Sequence, residues 1–457
     1  MIGNFDSNRN ISRNLLLIGD YRPGQNFGAI ATSTSLIAIA KQSVGEQNLS
    51  IIDQRSFKGL SPRSGYGVYS MPKIQPLYAE EVVHEHRQSS IRSHLKNNLI
   101  KIPFLRNGIQ FIRSKVKKSK LPAVKATPIP TKFEDFDSAA RMVMNGDIMH
   151  FEYQLLQRCD AVYVNGEGNI VNNIHNKGGD YRIGARYILF LIYLAAKYFN
   201  KPCAIVNHIV DPDQEEPREM IRRIYPLCKH VLVRDPFSLE VLENIGFSNA
   251  RYIPDALFNY TVNPSLINRF KDAGVIDFDK PYVCIGDSAS SGYVDWSIEN
   301  FYKQIIGEVK HRYGQVVVVD GGAPICSKVL QELCEELGIF RITVGNTTFE
   351  ELGAILAHSK AFISGRWHAS ILATLSGTPS VLFGTDSHKT RALHSMANLS
   401  SSFYKIEELP YKINELLFDL EVTLSNEMEI RERLKVFSQD CKEKTQYYFE
   451  VIQDLIS

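Results

Sequence analysis

Residues Ala361–Lys389, AFISGRWHASILATLSGTPSVLFGTDSHK, decide the fold. Ala361–Ser364 is a short apolar run of strand type, and Gly365 allows a sharp turn into Arg366-Trp367-His368. Ala369–Leu375 follows with helical character, Gly377 closes it, and Pro379 lies just beyond the stop. A second apolar run, Ser380–Phe383, leads into Gly384-Thr385-Asp386-Ser387-His388-Lys389 and the start of another helix. Two strand-to-helix junctions therefore stand side by side. Each presents unpaired backbone N–H groups at a helix N-terminus, with cationic or titratable side chains beside them, and such places hold anions. In open α/β sheets ligands bind at the carboxyl ends of strands, where both junctions fall. Arg366 has a second reading, as the partner of a core carboxylate.

Outward from this stretch the same β-then-α alternation fills the chain. Leu15–Ile18 ends in Gly19-Asp20, a loop follows, and a helix runs from about Gly28 to Lys41. Asp20 and Asn26 fall at the carboxyl end of that strand, and Asn26 is equally a helix cap. Gly24 and Gly28 are four apart, so the loop is not the dinucleotide fingerprint. Ser50–Asp53 reads as a strand and Phe133–Arg158 as helical. Ala161–Val164 feeds Asn165-Gly166-Glu167-Gly168-Asn169, two glycines around a carboxylate, as where backbone approaches a ligand closely. Val171 stands where a dinucleotide motif needs Gly or Ala, which disfavours a nicotinamide cofactor. Ala204–Val206 ends in Asn207-His208, Val231–Val233 in Arg234-Asp235, and Arg251–Ile253 in Pro254-Asp255. A second series runs through Tyr282–Ile285, Val316–Val319 and Arg341–Val344 to the opening stretch. Glu427–Leu455 reads as one terminal helix with Ile430, Leu434, Phe437, Cys441, Tyr448 and Ile452 on one face. The expected class is α/β, with two doubly wound Rossmann-like domains, 1–265 and 266–457, facing a cleft. The second carries the C-terminal helix.

Bulk properties exclude several classes. The chain has 457 residues, 44% apolar and 22% charged, enough to build a full core. A net charge of +2 gives no case for nucleic acid. The seven cysteines are odd in number and form no C-x-x-C pair, so they read as buried reduced thiols of a cytoplasmic protein. The N-terminus MIGNFDSNRN lacks a signal pattern, and the apolar run Tyr187–Ala196 is too short to span a bilayer. Between about 86 and 132 lies a basic insertion: Arg87 to Lys132 holds twelve Lys and Arg and no Asp or Glu. Such a segment suits an anionic membrane surface or a lipid diphosphate, and equally a solvated loop.

The chain resembles the polysaccharide pyruvyl transferase family. The resemblance rests on Gly19-Asp20 with Asn26-Phe27-Gly28-Ala29, Asn165-Gly166-Glu167-Gly168, Val233-Arg234-Asp235 with Ser238, Pro254-Asp255, and Gly365-Arg366-Trp367-His368-Ala369 with Gly377-Thr378-Pro379. Where the family commonly has three glycines this chain has Gly166-Glu167-Gly168, and it has Trp367 in place of Leu. The resemblance implies a GT-B-like fold, as in two-Rossmann glycosyltransferases, and transfer of pyruvyl from phosphoenolpyruvate onto two sugar hydroxyls as a ketal. The donor's carboxylate and phosphate need fixed cations. Arg366 and Arg234 match the family's arginines, with Lys389 and Arg391 as further choices. The N-terminal turns at His368 and Ser387-His388 add backbone donors. His368 is the expected general acid, Glu167 and Asp20 the candidate bases, and Gly166, Gly168, Asn26, Asn207 and His208 further substrate contacts. Glu167 is otherwise a helix N-terminal charge and His208 a loop histidine. No cofactor and no metal is called for. The expected acceptor is a saccharide or lipid-linked saccharide of surface-polysaccharide or capsule synthesis, at the inner face of the membrane. The same parts suit a GT-B-type glycosyltransferase using a sugar nucleotide, and a non-catalytic carbohydrate-binding scaffold is the alternative outside enzymes.

Overall fold

The computed structural model describes residues 13–23, 26–53, 129–130, 132–168, 183–212, 214–291, 294–384 and 387–457. In strand β1 (Leu15–Asp20), Leu16 and Ile18 enter one core and Leu15 and Leu17 another. Successive side chains leave a strand on opposite faces, so a run that is apolar throughout needs a sheet covered on both sides. The helix Ile183–Lys197 covers one face, with Ile188 to Leu194 among its buried side chains. The helices Phe27–Val44 and Tyr447–Ile456 cover the other.

This first sheet is wholly parallel. It adds β2 (Leu49–Asp53), β3 (Ala161–Glu167), β4 (Cys203–His208), β5 (His230–Val233) and β6 (Arg251–Tyr252), in the order β2-β1-β3-β4-β5-β6. A second parallel sheet has the order β11-β10-β7-β8-β9. Its strands are β7 (Tyr282–Ser288), β8 (Gln315–Val319), β9 (Arg341–Ile342), β10 (Ala361–Gly365) and β11 (Ser380–Leu382). Strand order reverses between β1 and β3 and again between β7 and β10, so each sheet has a crevice at its carboxyl edge. Phe27 and Ala31 at the start of their helix, with Leu257 and Phe258, share one core with Cys284, Val317 and Leu372 of the second half. The two halves thus meet through apolar side chains, in the α/β GT-B-like arrangement expected.

Several local boundaries differ from expectation. The terminal helix is two helices, Glu427–Thr445 and Tyr447–Ile456. Cys441 packs into the core that the two halves share, whereas Tyr448, Val451, Ile452 and Leu455 pack under the first sheet. One straight helix cannot follow both cores. Phe133–Arg158 likewise divides into Phe136–Met144 and His150–Arg158, where Gly146 and Met149 take positive φ. All seven cysteines are free and buried. Apart from 129–130 and 132, the basic insertion lies outside the described residues. So do Gly24, Asn169, Val171, Thr385 and Asp386.

Candidate functional site

The carboxyl ends of β3, β5, β6 and β10 meet around one buried carboxylate, Asp255. Its Oδ1 accepts from Thr32 Oγ1 at 2.9 Å and from the Leu257 backbone N–H at 3.0 Å. Its Oδ2 accepts from Arg234 Nη1 at 2.8 Å and from the Trp367 indole N–H at 3.1 Å. Burial by itself would raise the Asp255 carboxyl pKa, but Arg234 and His368 outweigh it and hold the group well below the usual carboxylate range.

Arg234, fully buried, is the hub of the charges. Nη1 lies 3.1 Å from His368 Nε2, and its Cζ lies 5.4 Å from the centre of the Trp367 ring. Nη2 lies 3.5 Å from Glu167 Oε1. Among the described residues, neither Nε nor Nη2 donates a hydrogen bond. A buried guanidinium with unused donors is costly unless something fills them, and a ligand anion is one such partner.

Glu167 ends β3 with a φ of 46°, in the left-handed region, and its Oε2 accepts from the Gly168 N–H. Its Oε1 lies 3.5 Å from His368 Nε2. Burial raises its pKa less than Arg234, then His368 and Lys389, lower it, so the carboxylate is ionised near neutral pH. Lys389 opens the helix Lys389–Met396 and reaches across to the first sheet; a Cβ on Gly168 would stand 3.2 Å from its Nζ. His368 sits in the first turn of the helix Trp367–Leu375, with Arg366 as the N-cap. Its ring lies against Gly28, where a Cβ would be 2.1 Å from Nδ1. That contact is the physical reason for glycine in Asn26-Phe27-Gly28-Ala29.

A second charged cluster lies beside the first. His388 Nε2 is 3.0 Å from Asp235 Oδ1, and Nδ1 is 3.5 Å from Asp211 Oδ2. Burial would lower its pKa, but the two carboxylates lift it to about 9, so the ring is an imidazolium near neutral pH. Asp235 caps the helix Pro236–Ile245 through the Ser238 N–H at 2.9 Å.

The structure therefore gathers Arg234, Glu167, Gly168, His368 and Lys389, with His388 and Ser387 just before the helix Lys389–Met396. Other expected residues are placed differently. Arg366 turns into the second sheet, where Nε donates to Asp287 Oδ1 at 2.7 Å and Nη2 to Oδ2. Its alternative reading as partner of a core carboxylate is the geometry found. Asp20 is held by Arg22, whose Nε and Nη2 bond both carboxylate oxygens, which leaves it poorly placed as a base. Asn26 caps the helix Phe27–Val44 through the Gly28 N–H at 2.9 Å. Asn207 is buried, donating to Thr32 Oγ1 at 2.8 Å and accepting from the Ala256 N–H. His208 is buried against the Tyr225 hydroxyl at 2.9 Å, and burial pushes its pKa down to about 3. A neutral, enclosed ring of this kind is not a ligand contact. A Cβ on Gly166 would strike the His208 Cβ at 2.5 Å, so that glycine serves strand packing. Arg391 lies over the Phe237 ring at 5.7 Å.

The sequence motifs assign no role to Asp255, Thr32 or the indole of Trp367. Pro254-Asp255 at a strand end was the available signal for the carboxylate; nothing local marked Thr32. Among the described residues, no group of three or more His, Cys, Asp or Glu side chains is arranged to hold a metal ion. Likewise, no described helix is long and apolar enough to cross a membrane.

Two parallel sheets with their carboxyl edges turned to a shared, ionised cluster define a GT-B-like α/β protein. A family model described as polysaccharide pyruvyl transferase matches residues 26–387, and the chain belongs to that family. A comparison with curated protein sequences gives no match. Among solved structures, the chain is similar to the UDP-GlcNAc 2-epimerase from Neisseria meningitidis bound to UDP-GlcNAc, at 12% identity and a TM-score of 0.52. That match covers 96% of this chain and 100% of the epimerase. The Candida albicans trehalose-6-phosphate phosphatase N-terminal domain matches at 10% identity and a TM-score of 0.50, covering 100% of this chain and 98% of that one. At these identities the likeness is one of fold.

Proposed function

We propose that this transferase moves pyruvyl from phosphoenolpyruvate onto two hydroxyls of a saccharide, forming a ketal and releasing phosphate. The observation that carries the proposal is Arg234, whose Nε and Nη2 are buried and donate no hydrogen bond among the described residues, between Glu167 and His368. The donor carboxylate pairs with that guanidinium face, and its phosphate lies toward Lys389 and the helix N-terminus behind it. His368, as general acid, gives a proton to the donor's methylene carbon. The C2 centre then carries developing positive charge. One sugar hydroxyl adds there and its proton passes to Glu167. The second hydroxyl displaces phosphate, which leaves with that hydroxyl's proton. The acceptor is a saccharide or lipid-linked saccharide of surface-polysaccharide synthesis, met at the inner face of the membrane.

The same cations suit the diphosphate of a sugar nucleotide, and one experiment separates the readings. Thermal unfolding is followed with phosphoenolpyruvate and with a panel of sugar nucleotides, for wild type and Arg234→Met. A ligand bound only by the native state raises the transition, by about 2.7 kcal/mol of stability at a hundredfold excess over Kd. A rise with phosphoenolpyruvate that Arg234→Met abolishes is expected. A rise with one sugar nucleotide alone overturns pyruvyl transfer, and no rise with any ligand favours a scaffold.

A further inference from the structure

The Nε and Nη2 atoms of a guanidinium lie on one edge and together hold both oxygens of a carboxylate. Arg366 shows that edge filled: Nε donates to one oxygen of Asp287 at 2.7 Å and Nη2 donates to the other. Arg234 shows it loosely covered. Its Nη1 is engaged with Asp255 and His368, whereas Nε and Nη2 are buried and donate no hydrogen bond among the described residues. At that edge stands Glu167, with Oε1 3.5 Å from Nη2 and Oε2 turned back to the Gly168 N–H. A carboxylate tied to its own backbone by one oxygen does not present both to Arg234. Glu167 is also the less enclosed of the two acids paired with this guanidinium: its side chain is 18% exposed, against none for Asp255. Its φ of 46° is one that an L side chain adopts at a cost in strain, and such strain persists where a site uses it.

A ligand carboxylate seated on the Nε/Nη2 edge would meet Glu167 Oε1 as a like charge at the same nitrogen, and like charges sharing one site disfavour each other. We propose that Glu167 is the resting counter-ion of Arg234, displaced when a ligand carboxylate takes the Nε/Nη2 edge. Before a ligand binds, Glu167 screens the buried guanidinium. Once displaced, its carboxylate is released to take the acceptor hydroxyl's proton, so donor binding precedes acceptor activation. That the incoming carboxylate belongs to phosphoenolpyruvate rests on the pyruvyl-transfer reading above; the exchange on Arg234 does not. The other groups facing Glu167 are His368, with Nε2 at 3.5 Å, and Lys389, whose Nζ would stand 3.2 Å from a Cβ on Gly168. Neither carries the planar two-donor edge that makes Arg234 the place of exchange.

The test is calorimetric titration of oxalate, a carboxylate with no phosphate and no methylene, into wild type, Glu167→Asp and Glu167→Gln in the full chain. Asp keeps the charge, draws it back by one methylene, and is among the residues that accept positive φ. Gln keeps the length without the charge. Oxalate is expected to bind about fivefold more tightly to Glu167→Asp and about tenfold more tightly to Glu167→Gln, because the internal competitor is withdrawn or neutral. A Kd that is unchanged or weaker in Glu167→Asp overturns the proposal even where Glu167→Gln binds more tightly, since that gain then reports only the general field of the site. Absence of oxalate binding in all three chains overturns it as well. If Glu167→Asp does not fold, Glu167→Gln is read alone, with the same two outcomes for its Kd. With phosphoenolpyruvate and acceptor, Glu167→Asp lowers the donor KM and kcat together, since the competitor and the base are one group. If that reaction is not seen while oxalate binding tightens, pyruvyl transfer falls and the exchange stands.

Discussion

In Arg366→Ala, the carboxylate of Asp287 keeps its burial and loses its cation. The wild-type pair is bidentate, with Arg366 Nε 2.7 Å from Oδ1 and Nη2 on Oδ2, and Asp287 is wholly buried. After the substitution, the Gly321 N–H at 3.0 Å still donates to the carboxylate, but no cation faces it in place of Arg366 among the described residues. Removing one partner of a buried ion pair costs about 3–5 kcal/mol, a large share of the ~5–15 kcal/mol that holds a typical protein folded. Urea denaturation of wild type, Arg366→Ala, Asp287→Asn and the double variant measures the cost and the coupling. A coupling of about 1–3 kcal/mol is expected, with the double variant less destabilised than the two single losses summed. The reasoning is refuted if Arg366→Ala unfolds within about 1 kcal/mol of wild type while the thermal shift with phosphoenolpyruvate disappears. Arg366 would then be a ligand cation, and its contact with Asp287 incidental.

The His388 cluster gives a pH dependence. Its folded-state pKa, about 9, lies above the ordinary 6.5, so its stabilisation is complete below pH ~6.5 and is lost as pH rises through 9. Urea midpoints measured from pH 6 to 10 should fall by up to ~3 kcal/mol equivalent, and His388→Gln should remove most of that slope. Gly28→Ala adds a methyl 2.1 Å from His368 Nδ1; turnover should fall about a hundredfold, with the circular dichroism unchanged. An unaltered rate in that variant would mean that the His368 position is not used.

Much of the fold was legible because its signals are local. The both-faced apolar run Leu15–Ile18, the turn at Gly365 and the stop at Gly377 each depend on a few neighbouring residues. The site was legible only in part. Arg234, Glu167, His368 and Lys389 were marked by falling at strand ends. Asp20 and Arg366 carried the same mark, yet each has both carboxylate-to-guanidinium contacts satisfied internally. His208 was marked as well, and burial makes it neutral and inaccessible. A strand-end position shows that a side chain leaves the sheet near the crevice, but not which partner it meets there. The single terminal helix failed for a related reason. Its apolar spacing was real, but the spacing does not reveal that two separate cores receive it.

The alternating parallel architecture, the family and the strand ends that carry the candidate site can be read from the amino-acid order alone, because periodicity, turn chemistry and motif order act over short spans. Which charges meet depends on how the chain packs in three dimensions. Arg234 reaches His368 across 134 residues, Trp367 reaches Asp255 across 112, and Arg366 is claimed by Asp287 across 79. In a buried site a cation is either a ligand group or a partner for an internal carboxylate, according to which oxygen lies within about 3 Å, and that distance is set by how two sheets pack.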